Sequence, residues 1–394
     1  MTERLKIGLT WQLNTHTGWG VFATNVALAL AARKDVELSF WIHELHGLNA
    51  LDEMLLGPIT HRCNAEVHRV RAGETLTFDG VLIHSDGNHF SGKPLEFPIQ
   101  CEKHMGLMVF EDTAFTPDEI AKANAYDWLV TGSRWNQDIL RGYGVESVCI
   151  QQGVDPTVFH PGPKSGRWRD RFVVFSGGKL EYRKGQDIVL AAFREFHKSH
   201  PEALLLTAWD NRWPQLVQDM TLNGHVEYEP VVTSEGVDID GWFTDNGLPE
   251  GAALDIGAVP NALLGQIVRE ADVAVFMSRA EGGTNLMAME CIGAEVPTIV
   301  SRNTGHLDLN CWSVPCHSEP VTPSRFFDGI RGWGETSPRA VSELIEAIFR
   351  PEKGRNTDAL LNDAFQIFDD EKLNRSVPTW SEYADQLVNL IRGD

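Results

Sequence analysis

Basic residues are in short supply. Only 34 lysines and arginines face 55 aspartates and glutamates, a formal charge of −21. Such a surface repels a phosphate backbone, so nucleic acid is not an expected partner. The densest basic stretch, His61 to Arg71, reads as a solvated loop. Cysteine is scarce too: Cys63, Cys101, Cys149, Cys291, Cys311 and Cys316 form no C-x-x-C pair. Neither a disulfide framework nor a paired-cysteine zinc site is expected, and a reduced, cytoplasmic chain fits. Cys149 and Cys291 lie in apolar runs and read as core thiols. The motifs H-E-x-x-H and G-x-S-x-G are missing, which speaks against a zinc protease and a serine hydrolase of that type. Asp238-Ile-Asp240 is a D-x-D in an irregular stretch and reads as surface; no metal is expected. No run reaches the ~18 apolar residues of a membrane helix. The start, MTERLKIGLTW, lacks a signal peptide's plan.

What the chain does have is length and alternation. Its 394 residues, 42% of them hydrophobic, suffice for two cores. Short apolar runs (Lys6 to Trp11, Val36 to Ile42, Val81 to His84, Leu107 to Phe110, Trp128 to Val130, Val148 to Ile150) alternate with helical patterns. That alternation predicts a parallel sheet. Gly153 to Asp170 is rich in proline and glycine and marks a boundary. A second alternating block follows, with strands at Phe172 to Phe175 and Ala203 to Ala208 and a helix over Lys184 to Ser199. No element is assigned to 210–255. Helices are expected at Pro260 to Glu270, Ala340 to Phe349 and Trp380 to Ile391. The fold class is therefore α/β, with two doubly wound domains. Ligands in such sheets bind beyond the carboxyl ends of the strands, and the cleft between two such halves is the expected site.

Ala271 to Pro297, ADVAVFMSRAEGGTNLMAMECIGAEVP, reads as strand, loop, helix, strand. Its loop, Ser278 to Asn285, lies at a helix amino end, where free N–H groups and the helix dipole favour an anion. Thr284 or Asn285 can cap that helix. Upstream, SGGKLEYRKGQDIV places Gly177 and Gly178 at a strand end and Lys179 and Lys184 five residues apart. Two cations beside glycine-bearing turns suit a diphosphate. Glu281 and Glu290 can accept hydrogen bonds from sugar hydroxyls. In the first half, Gly18-Trp-Gly20-x-x-Ala23 matches the dinucleotide fingerprint G-x-G-x-x-A, with Glu44 about twenty residues on. An NAD(P)-dependent oxidoreductase is thus a rival reading. It is weakened by the long loop, Gln12 to Thr17, where a tight turn is wanted.

Together, GVDPTVFHP, GGKLEYRKG and EGGTNLMAMECIGAEVPTIVS resemble the retaining glycosyltransferases of family 4. The resemblance implies a GT-B fold, with two facing Rossmann-like domains and an interdomain cleft. It divides the chain into an acceptor-side domain (1–160), a nucleotide-sugar domain (161–375) and a C-terminal helix (376–394) packing back on the first. It also implies metal-free transfer from a UDP- or GDP-linked sugar, with retention at the anomeric carbon and no separate cofactor. The acceptor would be a glycan, a lipid-linked group or a small molecule. The product would enter a polysaccharide or glycoconjugate, in the cytoplasm or at the inner membrane face through peripheral contact. Lys179 and Lys184 would grip the diphosphate, Glu290 the ribose and Glu281 the transferred sugar. Gly178, Gly282, Gly283, Thr284, Asn285 and Leu286 would line the phosphates. Gly257-Ala258-Val259 would lie against the base, and the Gly18 and Gly20 loop would approach the donor. Family members carry a sugar-contacting histidine after a first-domain strand; His84, Glu111 and Asp112 are the candidates here, with His89 and Asp86 nearby. One departure stands out: eight residues separate Glu281 from Glu290, where the family has seven. Glycines 282 and 283 can absorb the extra residue as a bulge. The irregular spacing also leaves a nucleotide-sugar-binding pseudoenzyme as a third reading. His306 reads as structural.

Overall fold

The computed structural model describes residues 4–41, 47–90, 98–316, 321–350 and 377–393. Glu44 of the dinucleotide reading lies outside them, as do 351–375 of the expected second domain and 376 of the expected C-terminal segment. The chain forms two units: Met1–Asp155 with Pro260–Ala262 and Pro378–Asp394, and Pro156–Val259 with Leu263–Val377.

In the first unit β1 (Leu5–Leu9) leads into α1 (Gly18–Ala31), then β2 (Val36–Phe40) and α2 (Ala50–Arg71). Next come β3 (Leu76–Thr77), β4 (Val81–Asp86), β5 (Ile99–Gln100), β6 (Lys103–Met108), α3 (Pro117–Ala123), β7 (Trp128–Thr131), α4 (Arg134–Gly142) and β8 (Val148–Cys149). The main sheet is parallel in the order β2-β1-β4-β6-β7-β8. α3 starts with a capping box: Thr116 accepts from Glu119 N–H, Glu119 accepts from Thr116 N–H, and Pro117 takes the first helical position.

His61 to Arg71 is not a loop but the second half of α2. Leu56, Ile59, Cys63 and Val67 are buried at helical spacing. His61, Arg62, His68 and Arg69 are solvated on the opposite side. Pro58 inside the helix disguises this pattern in the sequence. Cys149 is only half-buried, because β8 is an edge strand; Cys63, Cys291 and Cys311 are the buried thiols. The last helix, α10 (Trp380–Arg392), belongs to this unit. Its Trp380 and Tyr383 rings lie 5.7 Å and 5.5 Å from Phe22 of α1.

The second unit begins with β9 (Phe172–Lys179), α5 (Gln186–His197) and β10 (Ala203–Asp210). The unassigned stretch holds a hairpin, β11 (Val231–Thr233) and β12 (Gly236–Asp238), then α6 (Ile239–Asp245) and β13 (Ala253–Asp255). Asp238 caps α6, accepting from Gly241 N–H. α7 (Asn261–Val268), β14 (Val273–Phe276), α8 (Leu286–Gly293), β15 (Thr298–Arg302), β16 (Trp312–Pro315) and α9 (Pro338–Phe349) complete it. The sheet is parallel in the order β13-β10-β9-β14-β15-β16. Its core joins Val174, Leu205, Val275 and Ile299 of the strands to Ile188, Phe193 and Leu344 of the helices.

From β9 the chain winds to β10 and β13 on one side, then returns to β14, β15 and β16 on the other. The strand order reverses between β9 and β14, and a crevice opens at the carboxyl ends of such a pair. Those ends carry Lys179 and the loop from Met277 onward.

Candidate active site

Two backbone devices bring the two motifs together. After β9 the chain makes a 3₁₀ turn, Tyr182–Lys184, and Gly185 follows at φ +67°. A Cβ on Gly185 would lie 1.9 Å from the Met277 carbonyl oxygen, so only glycine lets this turn rest against the end of β14. On the other side, a Cβ on Gly305 would lie 1.6 Å from Gly283 O. The loop is thus clamped between the β9 turn and the turn after β15.

The charges alternate across this crevice. Lys179 Nζ sits 2.7 Å from Glu181, and Arg183 pairs with Glu181 and, at 3.3 Å, with Glu281. Lys184 Nζ donates to both oxygens of Glu281, at 2.7 and 2.8 Å. Ser278 Oγ (2.6 Å) and Asn285 Nδ2 (3.1 Å) also donate to Glu281 Oε1. Burial would push the Glu281 carboxyl up, but Lys184 and Arg183 overcome it and hold it down at about 2. Burial likewise opposes ionisation of Glu181, and Arg183 and Lys179 again prevail, leaving it below its ordinary value. The side chain of Glu281 is 5% exposed, against 18% for Lys184 and 35% for Lys179. The lysines are therefore more exposed than the glutamates they bind. Arg183 is not among the residues the sequence points to, although with Lys179 and Lys184 it makes three cations in six residues.

A buried frame holds the loop. Arg279 is fully buried and binds Asp187 of α5 at 2.7 and 2.9 Å and Glu335 at 2.7 Å. Its guanidinium stacks 3.9 Å from the Tyr182 ring centroid. Glu281 N–H donates to Thr304 Oγ1 (2.8 Å), and Glu281 O accepts from Gly305 N–H (3.0 Å). Thr304 is at φ +40°, a strained conformation for a β-branched residue. His306 is buried beside Asn285, its Nε2 3.3 Å from Nδ2. Burial lowers it to about 4, so it is neutral near pH 7 and a structural prop.

The segment between the two glutamates turns into α8 at Asn285. Asn285, at φ +67°, caps that helix by accepting from Ala288 N–H. Thr284 is buried, and its hydroxyl faces the Met289 sulfur. Gly282, Gly283 and Leu286 lead into and open α8, and Glu290 is buried on it. A Cβ on Gly177 would lie 2.0 Å from Met287 Sδ, so α8 packs closely on the end of β9. Gly178 follows at φ +116°. Gly257 (φ +63°) and Val259 sit beyond β13, at the same sheet end two strands from β9. Asp255 shapes their turn, accepting from Gly257 N–H (2.9 Å), Trp209 N–H (3.0 Å) and Thr207 Oγ1 (2.5 Å); burial raises it to about 6.

The first-unit candidates are dispersed. Gly18 and Gly20 lie in the first turn of α1, and Thr17 caps it by accepting from Gly20 N–H at 3.1 Å. A Cβ on Gly20 would meet the Asn14 side chain at 2.2 Å, so an amide fills the space that the dinucleotide reading keeps for a pyrophosphate. His84 lies inside the layer, 4% exposed, bonded to Thr10 (3.0 Å) and His104 (2.9 Å); burial lowers it to about 3. Glu111 and Asp112 both donate their N–H groups to Asn88 Oδ1, at 2.7 and 3.0 Å. Asp112 is buried, and the half-exposed His89 (φ +64°) stands 3.6 Å from it and 3.1 Å from Glu119. Asp86 accepts from Tyr126 at 3.1 Å. Among the described residues, no group of three or more His, Cys, Asp or Glu is placed to hold a metal ion. No described helix is long and apolar enough to cross a membrane.

No family model matches the sequence, and no curated protein matches it either. Solved structures do match. Anabaena HepE in complex with UDP and glucose superposes with a TM-score of 0.61 at 13% identity, over 99% of this chain and 100% of that one. Sucrose-phosphate synthase from Thermosynechococcus elongatus gives 0.59 at 14%, over 99% of each chain. Trehalose 6-phosphate synthase from Burkholderia multivorans gives 0.58 at 13%, over 100% and 99%. With its two Rossmann-like parallel-sheet units, the chain has the GT-B fold.

Proposed function

We propose that the chain is a glycosyltransferase of the family 4 type. It moves a sugar from a UDP- or GDP-linked donor to an acceptor hydroxyl, with retention and without a metal ion. One observation carries this reading: Lys179, Arg183, Lys184 and the amino end of α8 meet at the topological switch point of the second unit. A diphosphate is the ligand that such a set of cations and N–H groups suits. In the reaction the bond from the anomeric carbon to the β-phosphate oxygen breaks, and its electron pair stays on that oxygen. A bond to the acceptor oxygen forms, and the acceptor's proton is released. The lysines stabilise the charge that develops on the departing phosphate. Glu290 is assigned to the ribose hydroxyls and the Gly257–Val259 turn to the base. The acceptor, a glycan, lipid-linked group or small molecule, is assigned to the first unit, and Glu111, Asp112 and the Gly18 and Gly20 turn of that unit are assigned to the donor's sugar and phosphates. The HepE structures, which hold UDP with glucose or UDP-glucose, lend weight to a UDP-linked donor.

A thermal-shift screen against nucleotide sugars tests the donor class. A ligand at 100 times its Kd stabilises by about 2.7 kcal/mol. No shift with any UDP- or GDP-sugar would sink the proposal. Product NMR then reads the anomeric configuration, and activity that persists in chelator checks metal independence. The oxidoreductase reading has the Asn14 side chain against it; saturable binding of NAD(P) would restore it. Donor binding without turnover across an acceptor panel would favour the pseudoenzyme. We also place the enzyme in the cytoplasm, with peripheral contact at the inner membrane face as the alternative to a free form. Leu51, Met54 and Leu55 on α2 are 53–71% exposed and suit peripheral contact. Failure to co-sediment with lipid vesicles would remove that assignment.

A further inference from the structure

The resemblance gives Glu281 to the transferred sugar, but its carboxylate is already saturated. Lys184 donates to both oxygens, Ser278 and Asn285 donate to Oε1, and Arg183 reaches Oε2. With its side chain 5% exposed, little of it is left for a sugar hydroxyl. Glu181 stands in the same relation to Lys179 and Arg183, with its side chain 6% exposed. The five groups form a row, Lys179–Glu181–Arg183–Glu281–Lys184, alternating in sign. Three positive charges and two negative ones leave a net charge of about +1 where the diphosphate is to bind.

We propose that Glu281, together with Glu181, is a positioning residue that acts through the lysines. The two carboxylates aim Lys184 and Lys179 and offset part of their charge, so that the site releases the nucleoside diphosphate after transfer. This rests on the donor reading above. Its physical logic is a difference between ligands. Breaking the sugar–phosphate bond leaves a terminal phosphate that can carry one more negative charge than the donor. A site with the full charge of three cations would hold that product more tightly than the donor and slow turnover. The buried counter-charges lower the attraction for both ligands, and most for the more highly charged product. Both carboxylates remain ionised at neutral pH because the cations hold them below their ordinary range. Asn285 and Ser278 fix Glu281 from the loop side, so Lys184 is aimed by the same segment that opens α8.

The test is calorimetric binding of UDP and GDP, which lack the sugar, to the full chain and to Glu281→Gln. Glutamine keeps the shape and removes the charge. The expected result is about tenfold tighter binding of the nucleoside diphosphate that the wild type takes, with slower steady-state turnover. Glu181→Gln is expected to do the same, and it keeps the idea testable if one variant folds poorly. In a Lys184→Ala background the Glu281→Gln effect should shrink, because the carboxylate then acts only through Arg183. Unchanged nucleoside diphosphate affinity with a loss confined to the donor would overturn the proposal and return Glu281 to the sugar. Weaker binding of both ligands in folded variants would overturn it as well. A wild-type chain that binds neither UDP nor GDP would instead defeat the donor reading on which the inference stands.

Discussion

Lys184 is assigned a large share of the proposed chemistry, because it is partly exposed and held by the loop that opens α8. Lys184→Ala is expected to reduce transfer on the order of 10²-fold or more, the scale seen when a preorganised charge-stabilising donor is lost. Single-turnover rates on a variant with unchanged far-UV dichroism would check it; unchanged transfer would dismiss the phosphate role. Glu281 also makes a stability contribution with a defined pH window. Its carboxyl lies at about 2 in the fold against an ordinary 4.5. The unfolded chain therefore takes up the proton first as acid is added. The contribution is complete above pH 4.5 and is lost as the pH falls toward 2. The acid branch of a stability–pH curve should flatten in that window for Glu281→Gln.

At the scale of elements, the loop after β14 is only as well placed as the frame beneath it. Arg279 joins the loop to the first turn of α5 through Asp187 and to the irregular segment at Glu335. Both carboxylates are largely buried, and Asp187 is 0% exposed. Removing one partner of a buried ion pair leaves uncompensated charge and typically costs about 3–5 kcal/mol. Arg279→Ala should lose about that much in denaturant unfolding of the second unit. A smooth loss below about 1 kcal/mol would mean that the cluster is not under strain when broken. Gly185→Ala meets both a positive φ and a carbonyl at 1.9 Å, so it should push the 3₁₀ turn off the end of β14. Ligand binding should fall with it, read by the same thermal-shift screen. Of these devices the sequence revealed the lysines, the glycine beside Lys184 and the asparagine cap, which lie within a few residues of one another. It did not reveal the Arg279 cluster, whose partners lie 92 and 56 residues away.

At the scale of the whole molecule, each unit buries a histidine that must stay neutral. His84 in the first is lowered to about 3 and His306 in the second to about 4, both from 6.5, and burial is the main cause in each. Below pH 6.5 the unfolded chain binds protons that the folded chain refuses, so stability falls as the pH drops toward 4. Melting temperatures should decline between pH 7 and 5, before the carboxylates titrate. His306→Gln should blunt the decline in the second unit and His84→Gln that in the first. The first unit has a second dependence, on the far end of the chain. Phe22 of α1 packs on Trp380 and Tyr383 of α10, and Tyr383 is 1% exposed. Tyr383→Ala is expected to cost the first unit about 3–5 kcal/mol, the range for large-to-small changes of a buried aromatic. Limited proteolysis of that unit would report it.

By itself the sequence determined the alternation of strands and helices, a proline- and glycine-rich boundary at Gly153 to Asp170, and the two local motifs to which phosphate chemistry is assigned. These are properties of neighbouring residues: apolar periodicity, glycine at a forced turn, an asparagine where a helix begins. Tertiary structure alone decided the rest. It made His61 to Arg71 a helix rather than a loop, because burial of Leu56, Ile59, Cys63 and Val67 outweighs the proline among them. It drew His84 into the layer between Thr10 and His104, away from any surface. It also turned Glu281 from a lone acidic residue in a loop into the buried counter-charge of Lys184 and Arg183. A carboxylate takes its character from the charges around it, and those charges arrive from strands that meet only when the sheet has formed.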